Sequence, residues 1–363
     1  MNPKILALYL PQFHPFPEND LWWGKGFTEW TNVGKAKPLF KGHDQPRVPS
    51  ELGYYDLRLP LIREQQAEMA KDAGVTAFLY WHYWLGGGRR LLPEVFHEVL
   101  TTGKPDFPFA LAWANHTWRA VGLTADFKSN SILAEQTYPG IEDAQAHFKL
   151  LLTAFQDPRY VKVDGKPFLY IFDPVNLPIE YIQCFKHMSV ETGLRGIYLV
   201  ANTNNQIKKE DMIAKGFDAV CNGEILGHGG FDTSSFRHRV KKHLEGIFFH
   251  RPAHAYNYKE LSPYLYSEDD RAEDVIPQIL PQWDHSPRGG RKTLIFTGTT
   301  PDLFEKNVRQ AMELIKNKND EHQILILKSW NEWAEGNYME PDLTNGRGYI
   351  EALRKVVDEY RFK

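Results

Sequence analysis

The chain has 363 residues, 25% of them charged and 42% apolar, and a formal net charge of −3 from 43 basic and 46 acidic side chains. That balance, with no basic block, argues against a nucleic-acid or anionic-membrane partner, and no apolar run reaches the roughly 18 residues of a membrane span. Two cysteines, Cys184 and Cys221, are too few for a disulfide framework or a four-cysteine zinc site and fit a reducing compartment.

Short apolar runs alternate with amphipathic stretches along the chain. The first run, 5–10, is too short for a signal-peptide core and reads as a strand, so the chain is expected to be cytoplasmic. Seven more runs follow at 75–81, 109–114, 168–172, 197–200, 218–221, 275–280 and 324–327, the seventh interrupted by Pro277. One helix is expected after Pro60, with Ile62, Met69, Ala70 and Ala73 on its buried face and a stop at Gly74. A second starts at the N-cap Thr300 with Pro301 next and buries Leu303, Val308, Met312 and Ile315, and a third covers about 349–360. Eight strands in βα alternation make an α/β fold, a (β/α)8 barrel in a single domain over 1–363, the leading architecture; an open doubly wound sheet is the alternative. Two long connections, 13–59 after strand one and 224–256 after strand six, exceed plain loops. The first is expected to be ordered over a site. In the second, HRVKKH at 238–243 beside GIFF at 246–249 reads as a solvated helix rather than a partner-binding patch.

In a barrel the site lies at the C-terminal ends of the strands. Those ends carry Tyr9, Gln12 and His14; Trp81, His82, Tyr83 and Trp84; Trp113, Asn115, His116 and Trp118; Asp173; Asn202; Asn222 and Glu224; Trp283, Asp284 and His285; and the segment NEWAEG at 331–336. Aromatic residues make up 13% of the chain, and at these ends they stand beside polar groups, which suits a sugar ring with its C–H faces and hydroxyls. Glu332 and Glu335 stand three residues apart among tryptophans and before Gly336. A sharp turn there would aim both carboxylates into one cavity, as glycosidic cleavage requires: one group protonates the leaving oxygen while the other works ionised. The plainer alternative is a helix start capped by Asn331, with both glutamates on the positive end of its dipole. Both glutamates in an aromatic-lined pocket would support the enzyme reading, and one of them locked to an arginine in the core would end it. The histidines are scattered without an H-E-x-x-H spacing, so no metal is expected, nor any cofactor, and GGGRR at 86–90 lacks the features of a phosphate loop.

Longer motifs carry a resemblance. YLPQFHPFPENDLWWGKGFTEWTNV at 9–33, GHDQPRVPSELGYYDLR at 42–58, YWHYW at 80–84, WANHTW at 113–118, PQWDHSPR at 281–288 and WNEWAEGNYMEPD at 330–342 resemble the WbsX-type proteins of bacterial polysaccharide loci, relatives of glycoside hydrolase family 99. The resemblance implies a (β/α)8 barrel and an oligosaccharide or polysaccharide substrate with an alpha-mannoside-like linkage. It makes Glu332 a base on the sugar 2-hydroxyl and Glu335 the acid/base, so that configuration is retained without a glycosyl-enzyme ester. Tyr9 and Asn331 resemble substrate contacts of that family, and His14, Trp30, His82, Tyr83, Trp113, Asn115, Trp283, Asp284 and Trp333 are the further candidate sugar contacts. The alternative is a glycosyltransferase or transglycosylase of cell-surface polysaccharide (O-antigen or lipopolysaccharide) biosynthesis. Against it, the sequence has no Asp-x-Asp pair for a metal diphosphate and no basic cluster at a strand end.

Overall fold

Nine parallel strand segments organise the molecule: β1 (Lys4–Tyr9), β2 (Ala77–Trp84), β3 (Phe109–Trp113), β4 (Lys166–Ile171), β5 (Tyr198–Thr203), β6 (Ala219–Asn222), β7 (Val275–Ile276), β8 (Gln278–Ile279) and β9 (Ile324–Leu327). The structure, a computed structural model, describes residues 3–120, 131–204, 206–223, 243–246, 248, 250–252 and 254–361. Every residue of β1 after Lys4 is buried. A strand covered on both faces needs an unbroken apolar run rather than alternation, which is why the run 5–10 was visible in the sequence.

The strand order is β7-β6-β5-β4-β3-β2-β1-β9-β8. Its first and last members, β7 and β8, are separated by Pro277 alone, so the two ends of the path meet and the sheet is a nearly closed barrel. Pro277 has no N–H to give a ladder, yet its carbonyl accepts a bond from the Ile326 amide at 3.0 Å. The interruption noticed in the seventh run is therefore the point where one strand position hands over from β6 to β9. Leu6 lies opposite Ile326 in β9, and Leu8 opposite Leu79 in β2. First and last strands being neighbours overturns the open doubly wound alternative.

The helices that clothe this barrel are α1 (Pro17–Trp23), α2 (Glu29–Lys35), α3 (Pro60–Asp72), α4 (Pro93–Thr102), α5 (Ile141–Phe155), α6 (Ile179–Glu191), α7 (Lys209–Lys215), α8 (Pro301–Ile315) and α9 (Gly348–Arg361). α3 begins at Pro60 as expected and buries Met69 and Ala70, but also Arg63 and Gln66. Just beyond it Gly74 adopts φ +87°, and a Cβ there would come within 2.9 Å of Val357 on α9. In α8 the Thr300 hydroxyl accepts from the Leu303 amide, and Phe304 rather than Leu303 joins Val308, Met312 and Ile315 in the core. The long connection after β1 is ordered, carrying α1 and α2. Glu224 and residues 238–242 of the basic segment lie outside the described residues.

Candidate active site

The segment after β9 forms a tight hairpin, not a helix start. Asn331–Glu332 pairs antiparallel with Asn337–Tyr338 around a single 3-10 turn at Trp333–Glu335. Gly336 closes that turn at φ +55°, and a Cβ on it would lie 2.7 Å from the Asp284 Cβ. Glycine is needed at this point for both its backbone and its lack of bulk. Asn331 does not cap a helix: its amide group accepts from the Leu10 N–H at 2.7 Å and donates to the Leu10 carbonyl at 3.0 Å. The hairpin is thereby fastened to the end of β1. Behind it, the Trp333 ring stacks on Tyr338 at 3.7 Å, and its Nε1 donates to Glu340 at 2.6 Å.

Glu332 and Glu335 both line a cleft of about 620 Å³, together with Trp23, Phe27, Trp81, Tyr83, Trp118, Phe172 and Trp283. One arginine holds the pair. Arg288 donates from Nη2 to Glu332 at 2.8 Å and from Nη1 to Glu335, and its Nε reaches Glu29 of α2 at 3.2 Å. Arginine pairing was the feature expected to end the enzyme reading if it lay in the core. Arg288 instead lines the cleft with its side chain 21% exposed, so both glutamates are ion-paired within the pocket wall.

Burial, the neighbouring Glu335 and Glu29 all push the Glu332 carboxyl well above the ordinary carboxylate range, against Arg288. Glu335 moves the other way: burial raises it, but Arg288, His285 and Lys328 outweigh that and hold it down. Two adjacent carboxyls whose affinities for a proton are driven apart share one proton over a wide pH range.

Of the expected sugar contacts, Tyr83 and Trp283 also line the cleft. The others are placed elsewhere, for a reason that recurs. Along a strand successive side chains alternate between faces. Leu10 and Gln12 meet the cleft, whereas Tyr9 turns away and donates to Gln66 of α3 at 2.6 Å. Trp81 and Tyr83 meet it, whereas His82 contacts His147 of α5 at 2.8 Å. Trp113 likewise donates to the Trp84 carbonyl and packs on His147 and Phe185, while Ala114 and His116 take the cleft side. Asn115 stitches the ends of β3 and β4, bonding Tyr138 and the Asp173 backbone.

His14 is 2% exposed beside Phe16, and Trp30 supports the hairpin, its ring 5.5 Å from Trp333 and its Nε1 donating to the Tyr55 carbonyl. Trp333 and Asn331 are buried supports rather than walls. Asp284 is also buried. It accepts from Gln45 at 2.7 Å and the Ser286 amide, and from His43, whose Nδ1 takes the Leu39 N–H and so leaves Nε2 to donate. Burial alone would raise this carboxyl, but His43 and Arg47 hold it down at about 2. These nine positions thus stand behind the cleft wall, where they hold the strand ends and the hairpin in place.

The sequence reading did not select Arg288, Lys328, Glu29 or Trp81, all of which line the cleft. Strand parity would have found Trp81. Nothing local marks Glu29, which α2 delivers from 259 residues before Arg288. Among the described residues there is no group of three or more His, Cys, Asp or Glu side chains fit to hold a metal, and no helix long and apolar enough to cross a membrane.

WxcX of Xanthomonas campestris pv. campestris strain B100, itself uncharacterised, is 30% identical over 356 residues, as is its counterpart in strain ATCC 33913. The match covers 97% of this chain and 49% of WxcX, so the chain spans about half the length of these relatives. A glycoside hydrolase-like protein superposes with a TM-score of 0.59 at 15% identity, covering 99% of this chain and 94% of the other. A family 99 endo-alpha-mannosidase from Bacteroides thetaiotaomicron, crystallised with bis-tris propane, gives 0.56 at 15% identity with coverage of 99% and 97%. At such identity these structures establish the shared barrel fold. The family model described as glycosyltransferase WbsX matches residues 5–353, and the chain belongs to that family.

Proposed function

We propose that this chain is a carbohydrate-active enzyme that cleaves an alpha-mannoside-like linkage in a bacterial polysaccharide or oligosaccharide with retention of configuration, using Glu332 and Glu335. The observation that carries this reading is the pair itself: two carboxyls side by side on one guanidinium at the wall of an aromatic-lined cleft. Held on neighbouring nitrogens of Arg288, they suit the close pair of a retaining enzyme better than the roughly 6.5–9.5 Å an inverting enzyme needs to seat water.

In the proposed sequence Glu332 takes the proton of the sugar 2-hydroxyl, whose oxygen attacks the anomeric carbon. Glu335 gives its proton to the departing glycosidic oxygen and then takes one from the water that attacks the anomeric carbon, while the bond from that carbon to the 2-oxygen breaks and Glu332 returns its proton to the 2-oxygen. These roles start with Glu332 ionised and Glu335 protonated, against the directions in which burial pushes Glu332 and Arg288 pulls Glu335. Substrate that draws Arg288 away from Glu335 would raise that carboxyl and move the shared proton onto it, making Arg288 the switch between the two arrangements.

A second reading, glycosyl transfer in surface-polysaccharide synthesis, is favoured by the description of the family. One set of measurements separates them. Proton NMR on fresh product from a cleaved oligosaccharide should show the substrate's anomeric configuration first, and a 2-O-methyl substrate should bind without reacting. First appearance of the opposite anomer would exclude 2-hydroxyl participation. Thermal stabilisation by a nucleotide sugar, and none by oligosaccharide, would replace hydrolysis by transfer; a ligand at 100 times its Kd adds about 2.7 kcal/mol.

A further inference from the structure

The cleft is lined by Lys35, Arg119, Arg288 and Lys328 against three carboxylates. Among the described residues, the lining thus has one more cationic than anionic side chain, in a chain whose net charge is −3. Arg288 is committed to all three carboxylates. Lys328 is different. Projecting from the residue after β9, its ammonium lies 5.0 Å from the centroid of the Trp283 ring and makes no hydrogen bond or ion pair among the described residues. A half-buried ammonium whose close contact is a ring face, with Glu335 and Glu332 acting on it only from beyond ion-pair distance, is costly to keep, because these replace only part of its lost solvation. Burial accordingly draws its pKa below the usual lysine value, against the pull of Glu335. Trp283 offers an apolar face of the kind on which a sugar stacks, so the unpaired charge stands at the edge of a stacking surface inside the cleft.

On the glycosidase reading above, we infer that the cleft selects a glycan bearing a negatively charged substituent, a carboxylate or a phosphate on the sugar ring, which pairs with Lys328 while the ring lies on Trp283. The anion supplies the partner that the protein withholds from Lys328. A net positive, low-dielectric cleft concentrates such ligands and disfavours cationic ones. A neutral sugar would leave Lys328 as it stands now.

The test compares three methyl hexosides that differ only at C6: the hydroxyl, the carboxylate and the phosphate. Dissociation constants come from ligand-observed NMR on the native chain and on Lys328→Met and Lys328→Arg, the first keeping the stem over Trp283 and the second keeping the charge. The native chain should bind one or both anionic forms at least about tenfold more tightly than the hydroxyl form, the scale of a hydrogen bond to a charged group. Lys328→Met should shrink that preference to within about twofold, whatever it does to the hydroxyl form, and Lys328→Arg should retain most of it. Whichever anion wins names the substituent. Equal affinity for all three in the native chain, or a preference that survives in Lys328→Met, would overturn the inference. If neutral glycans are cleaved with equal affinity, the inference alone fails; if no hexoside binds and no glycan is cleaved, the functional reading fails with it.

Discussion

Two carboxylate regions lie within nine residues of each other after β9, and they differ in what surrounds them. Glu332 and Glu335 face the cleft and are held by the single guanidinium of Arg288. Glu340, behind the hairpin, is buried and accepts from Tyr55 at 2.8 Å, Gln66 at 2.6 Å and Trp333 at 2.6 Å. Three protein donors saturate Glu340 and leave it nothing to do but tie β1, α3 and the hairpin together through Gln66 and Tyr9. A carboxylate held by one guanidinium at the wall of a cleft retains capacity for a substrate. The identity of the residue says little; the number of donors the protein has already committed to it distinguishes a strut from a candidate catalyst.

The sharpest break of this contrast is in rate. Glu332→Gln or Glu335→Gln should lower turnover by about 10²–10⁴, the usual worth of a positioned acid or base, with the melting midpoint nearly unchanged. An active double variant would end the assignment of the pair. Glu340→Ala should do the reverse. It strands three buried donors, so denaturant titration should show a loss of about 3–5 kcal/mol, and native stability in that variant would erase the distinction between the regions.

A smaller effect comes from pH. Burial raises the Glu340 carboxyl from 4.5 to about 7, with Trp333, Gln66 and Tyr55 pulling it back. Its folded form binds the proton more tightly than the unfolded chain does, so this group favours folding most below about pH 4.5 and loses that contribution as pH rises through 7. Glu340→Gln does not titrate. The stability of the native chain relative to this variant should fall by about 3 kcal/mol between pH 4.5 and 8, measured by paired urea titrations. A flat difference would show that the three donors already compensate the buried charge.

Much of the fold was legible because it is local. The run 5–10 and its counterparts declare themselves by unbroken apolarity, and Thr300-Pro301 announces α8 by capping chemistry. The barrel followed from counting and alternation, and the nearby glutamates of 332 and 335 followed from spacing and the glycine that ends the turn. Tyr9, His82 and Trp113 were misplaced because the strand ends were read as clusters, not as alternating positions; parity was available and would have exchanged Trp81 for His82.

The sequence by itself thus determined the apolar strand runs and the close spacing of the two carboxyls, since each depends on residues a few positions apart, whereas the hairpin was chosen over a helix start only by the structure. What only the tertiary structure decided is how that pair is charged. Arg288 reaches Glu332 across 44 residues and Glu29 across 259, and Lys328 is left without an anion in the same wall. Those relationships, with Lys328 acting on Glu335 from beyond ion-pair distance, exist because barrel closure brings β8, β9 and the connection after β1 to one rim. Coulomb energies depend on distance through space and on burial, and neither is written in the spacing of residues along a chain.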